Sequence, residues 1–140
     1  MKKPIRIKGR VVSGARRAAG FTQLDWVQDQ CREKLGFRPF PGTLNVEVVA
    51  EDLAAVEALE MRESEALIPP DPAFCEAKVF PLSMGAVSGV LILPAKDARI
   101  HEQRVVEIMA PVNLRETLEL KDGDPVTIVI GTREIGNRNE

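Results

Sequence analysis

The sequence has no tyrosine, one histidine and two cysteines among its 140 residues. A site built from several histidine ligands is therefore excluded, since only His101 is available. Cys31 and Cys75 are far apart and form no CxxC motif, so neither a zinc site nor a disulfide framework is expected, and the reducing cytoplasm is the expected location. Aromatic residues make up only 4% of the chain, which leaves few side chains on which nucleic-acid bases could stack.

Neither charge nor hydrophobicity is concentrated in one place. The chain has 19 Lys and Arg against 21 Asp and Glu, which argues against nucleic-acid binding by phosphate neutralisation. No apolar run approaches the roughly 20 residues that a membrane helix needs, and the start, MKKPIRIKGR, lacks the apolar segment of a secretory signal. We expect one soluble domain over residues 1–132 and a flexible polar tail over residues 133–140.

Short apolar segments separated by turn residues predict about six β-strands. Residues 5–12 alternate apolar and polar side chains, and residues 87–93 form a short apolar run that suits a buried strand. The other candidate strands are residues 43–49, 75–82, 105–110 and 126–130. Short strands with few helices between them favour a closed β-barrel, because a barrel has no exposed sheet edges.

Helices are predicted at three places. Apolar residues recur at helical spacing over residues 22–35, where Thr22 is expected to cap the helix and Gly36 to end it. Residues 51–60 suit a short helix or an irregular acidic loop, and residues 111–118 suit one or two helical turns.

The segment SGARRAAG, residues 13–20, is the first candidate for binding chemistry. Glycines at both ends allow its backbone N–H groups to turn toward a phosphate, and Arg16 and Arg17 could add charge-assisted contacts. The segment matches neither a Walker motif nor GxGxxG. A surface loop with two solvated arginines is therefore the simpler interpretation of this segment taken alone.

Thr43 and Asn45 form the second candidate. They are two residues apart, so on an extended chain both side chains point to the same face. A hydroxyl and an amide oxygen can hold a hard cation that is already bound to nucleotide phosphates, although they would hold a free metal ion poorly. On spacing alone, a turn followed by the start of a strand explains both residues better.

Two further groups have the right chemistry but little specificity. His101 or Glu107 could act as a general base toward a hydroxyl, although each is also an ordinary surface residue. In residues 112–116, Asn113 or backbone N–H groups could hold an anion or a base edge, and Arg115 could reach a phosphate. A capped helical turn leading into the KDGD turn explains the same residues.

The order of the segments GRVVSG, LGFRPFPGTLNVEV, GVLILP and HEQRVVEIMAPVNLRETLELKDGDPVTI resembles the archaeal-type CTP-dependent riboflavin kinase family, from about Ile7 to Ile130. The resemblance implies a mainly β fold, a six-stranded cradle-loop β-barrel with one longer helix and one or two short helices. It implies transfer of the terminal phosphate of CTP to riboflavin, giving FMN and CDP, with one Mg²⁺ that arrives with CTP. No nucleic-acid or membrane partner is implied, and the oligomeric state stays open.

Carried over position by position, the resemblance also implies roles for individual residues. Thr43 and Asn45 would hold Mg²⁺. Glu107 would contact the flavin together with Arg99 and act as the catalytic base, while His101 matches the family's histidine without an assigned role. Two segments would bind the nucleotide, namely Gly14, Ala15, Arg16, Arg17, Ala18, Ala19 and Gly20, and Val112, Asn113, Leu114, Arg115 and Glu116.

The first of these segments departs from the family pattern, which usually has glycines at alternate positions. Arg16 and Ala18 stand where two of those glycines would be. If the backbone there is left-handed, each non-glycine residue costs about 1–2 kcal/mol of conformational free energy. Either the arginines take over the phosphate contacts or nucleotide binding is altered, so a non-catalytic flavin- or nucleotide-binding barrel is one alternative. A second is a DNA-binding regulator, since PVNLRETLELKDGDPVTIVI resembles the shorter looped-hinge domains of the AbrB type.

Overall fold

A computed structural model describes residues 4–14, 18–73, 76–94 and 104–131 of the chain. This part of the protein contains seven β-strands, all paired antiparallel. The strands are β1 (Ile5–Val12), β2 (Leu44–Val48), β3 (Glu65–Leu67), β4 (Ala77–Met84), β5 (Val87–Pro94), β6 (Val105–Met109) and β7 (Pro125–Ile130).

Six of the strands close into a ring. The order along the sheet is β3-β4-β5-β6-β2-β1-β7. An additional pairing of β4 with β7 closes the ring and leaves β3 outside it. The closing contacts pair Leu82 with Ile130 and Ser83 with Val129. The prediction of a mainly β, barrel-like fold is confirmed, and the closed ring has the six strands that were predicted.

The seventh strand, β3, was not predicted. Its three residues pair with Ala77–Val79 at the opposite end of β4 from the contacts with β7. Three residues are too few to show the alternation of apolar and polar side chains by which a strand is recognised in a sequence. The total of about six strands was therefore one too low.

Helical structure is confined to short segments. These are α1 (Ala18–Thr22), α2 (Asp25–Gln30), a π-helical turn (Cys31–Leu35), a 3-10 turn (Ala50–Asp52), α3 (Leu53–Glu60) and α4 (Leu114–Thr117). The 3-10 turn and α3 together show that residues 51–60 are helical and not an irregular loop. Asn113 caps α4, because its side-chain oxygen accepts a hydrogen bond from the backbone N–H of Glu116.

The helix predicted over residues 22–35 is confirmed from Asp25 to Leu35, where α2 continues into the π-helical turn, but its predicted start at Thr22 is wrong. Leu24 has extended backbone angles, φ −64° and ψ 140°, and separates α1 from α2. Thr22 is consequently the last residue of α1, and the N-cap position of α2 is Leu24. The helical segment does end at Gly36, as predicted. The segment predicted as a loop up to Gly20 is also partly helical, since α1 begins at residue 18.

The buried residues form two clusters on opposite faces of the sheet. One fills the barrel interior and includes Ile7, Val46 and Ile128. The other lies where α2 and the π-helical turn cover the outside of the sheet, and it contains Val27 and Cys31. Burial raises the pKa of the Cys31 thiol to about 11, so the thiol is protonated at neutral pH. No helix in the described part of the chain is long and apolar enough to cross a membrane.

Candidate functional site

A row of polar side chains lies on the outer face of β2 and the residue before it. The alternating side chains Leu44, Val46 and Val48 are buried in the barrel interior. The intervening residues therefore point outward, as period-two geometry requires. Those outward residues are Thr43, Asn45 and Glu47.

Glu107 on β6 faces this row from the neighbouring strand. It is the register partner of Asn45 in the antiparallel pair of β2 and β6. The Thr43 hydroxyl donates a hydrogen bond of 2.7 Å to Oε1 of Glu107. The structure thus brings together the two residues predicted to hold a cation and the residue predicted to act as a base.

Gly14 closes the other side of Asn45. The register of β1 and β2 pairs Val12 with Asn45, so the chain that leaves β1 passes over the Asn45 side chain. A Cβ at position 14 would lie 2.3 Å from Nδ2 of Asn45 and 2.9 Å from Oδ1. Because real Cβ atoms do not approach other atoms so closely, only glycine fits there without a shift of its neighbour.

A cavity of about 200 Å³ opens beside the polar row. One wall comes from the segment Phe40–Leu44, and the other from Ile108, Ala110 and the segment Val112–Arg115. Phe40 and Val112 are both exposed apolar residues in this lining. Thr43 belongs to the cavity lining and to the polar row, so the two features meet at this residue.

A small network ties the end of β1 to the wall of the cavity. Asp122 accepts a hydrogen bond of 2.5 Å from the Ser13 hydroxyl and one of 2.7 Å from Nη2 of Arg115. The same Nη2 lies 3.4 Å from the carbonyl oxygen of Val12. The hydrogen bonds from Ser13 and Arg115 lower the pKa of the Asp122 carboxyl, which stays ionised to accept both.

The remaining predicted residues are distributed unevenly. Val112, Asn113, Leu114 and Arg115 line the cavity, whereas Glu116 does not, and its backbone N–H is taken by the cap on α4. Gly20 lies in α1, and a Cβ there would meet nothing within 4 Å. Ala18 and Ala19 also lie in α1. Other predicted positions lie outside the described residues, namely Ala15, Arg16, Arg17, Arg99, His101, Cys75 and the tail 133–140.

Sequence reasoning missed three groups that the fold brings to the site. The cavity wall includes Phe40 and Pro41, which were read only as part of a turn. Asp122 was read as a turn residue, yet it anchors Ser13 and Arg115. The one signal in the sequence that could have pointed to the cavity wall is an aromatic residue, Phe40, between two prolines just before the GTLN segment.

The residues around Thr43 fit a divalent cation that arrives with a ligand. Thr43, Asn45 and Glu107 offer only oxygen donors, which Mg²⁺ prefers. The Thr43 proton is directed at Glu107, so the lone pairs of the hydroxyl oxygen point elsewhere and can face a cation. No group of three or more His, Cys, Asp or Glu that could hold a metal was found among the described residues.

Comparisons with known proteins cover most of the chain. The family model CTP-dep_RFKase, described as "Domain of unknown function DUF120", matches residues 11–130. A "Riboflavin kinase" of Methanothermobacter thermautotrophicus is 44% identical over 124 residues, covering 88% of this chain and 97% of that protein. One of Ignicoccus hospitalis is 35% identical over 133 residues, covering 93% and 73% of the two chains. One of Methanobrevibacter smithii is 35% identical over 125 residues, covering 89% and 98%.

The chain is a closed barrel with a cavity beside a row of polar side chains, and the relatives that it matches are named as kinases, which are enzymes of the phosphotransferase class. The chain belongs to the CTP-dependent riboflavin kinase family, whose model covers all the strands from the end of β1 to β7. The match extends far beyond the C-terminal stretch that resembles AbrB-type domains, so the interpretation as a DNA-binding regulator is not carried further.

Proposed function

We propose that this chain transfers the terminal phosphate of CTP to the ribityl hydroxyl of riboflavin, giving FMN, CDP and a proton. The observation that carries the proposal is the hydrogen bond between Thr43 and Glu107, which joins the cavity to a carboxylate on the next strand. Membership in the family and the names of the relatives supply the two substrates.

The cavity is the proposed binding place for the nucleotide. Phe40 and Val112 present apolar surface against which a planar base can pack, and Asn113 and Arg115 add polar groups on the same wall. This arrangement is typical of small-molecule sites, which combine an apolar lining with a few polar groups that fix orientation. The segment from Gly14 to Gly20 would approach the phosphates from the side of Asn45.

Thr43 and Asn45 are the proposed protein ligands of Mg²⁺. Thr43 lines the cavity, and Asn45 follows it on the outer face of β2, where the phosphates of a nucleotide bound in the cavity would emerge. The bound ion would supply neutralisation of the charge on the transferring phosphate. The residues themselves hold and orient the phosphates, and Glu107 fixes the direction of the Thr43 hydroxyl.

Glu107 is the proposed acceptor of the proton from the riboflavin hydroxyl. It lies across the strand pair from Asn45 and is hydrogen-bonded to Thr43, which lines the cavity. An acceptor hydroxyl placed there would have a carboxylate within reach and the phosphate ahead of it. Phosphoryl transfer depends mainly on positioning and on charge neutralisation, so a site without a Walker lysine is sufficient.

The test is to incubate the chain with Mg²⁺, riboflavin and each of the four nucleoside triphosphates, and to separate FMN from riboflavin by chromatography. Wherever FMN forms, we expect an equal amount of nucleoside diphosphate. We expect CTP to be the best phosphate donor. Formation of FMN from none of the four would reject the proposal.

A binding barrel without catalysis is the second candidate, because Arg16 and Ala18 replace two of the family's usual loop glycines. Calorimetric titration with CTP in the presence of Mg²⁺, and separately with riboflavin, distinguishes the two candidates. Tight binding of either ligand without turnover would favour the second candidate, whereas turnover excludes it.

A further inference from the structure

Thr22 is a buried polar residue that the proposed chemistry does not use. Its exposed fraction is 0%, and it is the one polar residue found buried in the described part of the chain. Buried hydroxyl groups are almost always hydrogen-bonded, and their partners show which segment they hold in place. For Thr22 that segment lies 20 residues further along the chain.

The Thr22 hydroxyl accepts a hydrogen bond of 2.9 Å from the backbone N–H of Gly42. Gly42 has φ +95°, a conformation that favours glycine, and it immediately precedes Thr43. The backbone turn that sets the direction of Thr43 is therefore fastened to the last residue of α1.

Neighbouring contacts hold the other end of the same segment. The Gln28 side-chain amide donates to the carbonyl oxygen of Thr22 at 2.7 Å and to that of Pro39 at 3.2 Å. Gln23 also donates to the carbonyl oxygen of Pro39, at 3.3 Å. Residues 39–42 are thus held at both ends by α1, α2 and the link between them.

We infer that Thr22 is a positioning residue, whose hydroxyl fixes the Gly42–Thr43 turn so that Thr43 can bind the cation that arrives with the nucleotide. The inference rests on the proposed function of Thr43. It also links a predicted cation ligand to one of the segments predicted to contact the nucleotide, because α1 contains the last three residues of the segment from Gly14 to Gly20. Residues that orient a metal ligand typically change metal affinity or activity by roughly 10–100-fold when they are replaced.

The test compares Thr22→Val, which has nearly the same shape without an acceptor, with Thr22→Ser, which keeps the hydroxyl and loses a methyl group. Thr127→Val, at an exposed position on β7, is the control for the substitution itself. For each protein we would measure kcat, the KM for CTP at fixed Mg²⁺, the Mg²⁺ dependence of the rate, the KM for riboflavin and the melting temperature.

Thr22→Val is expected to raise the KM for CTP and the Mg²⁺ requirement by roughly 10-fold, and to leave the KM for riboflavin unchanged. Thr22→Ser and Thr127→Val are expected to keep the wild-type values. A lower melting temperature of Thr22→Val with unchanged KM values would show a merely structural role and overturn the inference. Equal KM changes in Thr22→Ser and Thr22→Val would also overturn it. If Thr22→Val does not fold, Thr22→Ala removes the same acceptor.

Calorimetric affinity for CTP with Mg²⁺ separates this inference from the proposed function. A wild-type chain that binds CTP but makes no FMN would reject the proposed catalysis, and the loss of affinity in Thr22→Val would still support the inference. A wild-type chain that makes FMN, with the same CTP affinity as Thr22→Val, would reject the inference alone. A wild-type chain that neither binds CTP nor makes FMN would reject both.

Discussion

Gly14 lies directly against the side-chain amide of Asn45, with room for a hydrogen but not for a methyl group. A Cβ at position 14 would come within 2.3 Å of Nδ2, 2.7 Å of Cγ and 2.9 Å of Oδ1. The contact joins the chain leaving β1 to the proposed cation ligand on β2. The absence of a side chain at Gly14 therefore determines where the Asn45 oxygen can lie.

Gly14→Ala is expected to abolish most of the activity while the fold survives. The atoms that a Cβ would meet belong to the end of the Asn45 side chain, which can rotate, so the amide should move before the backbone does. We expect a stability cost at or below the roughly 1–3 kcal/mol typical of overpacking. Activity measurement and chemical unfolding of the variant check both parts.

Asn45→Ala supplies the control, because it removes the side chain with which the new methyl group collides. In that background Gly14→Ala should cost less stability than in the wild type, so the two changes should be non-additive. Additive stability costs, or full activity of Gly14→Ala, would contradict the interpretation that Gly14 positions Asn45.

Glu107→Gln is expected to lower kcat by roughly 100-fold or more, as removal of a general base does, with little change in the KM for CTP. The glutamine oxygen can still accept the hydrogen bond of 2.7 Å from Thr43, so the cation ligand should keep its direction. The ability to accept a proton is lost together with the negative charge. Steady-state kinetics with varied CTP and varied riboflavin separate the two effects.

Glu47→Gln is the matched control for this change. Glu47 lies on the same outer face of β2 and forms an ion pair of 2.7 Å with Arg10, away from the cavity. Its replacement should leave kcat close to that of the wild type. Comparable rates for Glu107→Gln and Glu47→Gln would show that Glu107 accepts no proton in the reaction.

The strand content and the placement of Thr43 and Asn45 on one face follow from local patterns. Alternation with period two is decided within a few residues, so the outward direction of both side chains could be read from the sequence. The closed ring could be expected because isolated edges are unfavourable in a small sheet. The contact of Glu107 with Thr43 could not be predicted from local patterns, because it depends on the register of two strands whose contacting residues are 64 positions apart.

Thr22 shows where local reasoning fails. A threonine before an acidic residue and an apolar helical pattern is a common N-cap, and this preference led to the prediction of a helix start. In the structure the hydroxyl accepts the N–H of Gly42 instead. That partner comes from a distant segment, so no pattern around residue 22 could reveal it. The same limit applies to Asp122, whose partner Ser13 is 109 residues away.

Asp122→Asn is expected to reduce the loss of unfolding free energy that the protein undergoes as the pH falls from 7 to 3. The hydrogen bond from Ser13, followed by that from Arg115, lowers the pKa of the folded-state carboxyl below its ordinary value of 3.8. The unfolded chain therefore binds the proton first as the pH falls. The stabilisation by Asp122 is fully present above the ordinary pKa and is lost as the pH falls through the folded-state pKa. The difference in unfolding free energy between wild type and Asp122→Asn, measured at pH 7 and at pH 3, should shrink at the lower pH.

Ser13→Ala tests the assigned cause of the lowered pKa of Asp122, because it removes the hydrogen bond that lowers this pKa most. Its stability difference from the wild type should shrink over the same acidic range, since protonation of Asp122 weakens the bond in the wild type alone. Other carboxylates titrate there as well, but they contribute equally to all three proteins and cancel in the differences. A gap between wild type and Asp122→Asn that is the same at pH 7 and pH 3 would contradict the role of Asp122 as the ionised anchor of Ser13 and Arg115.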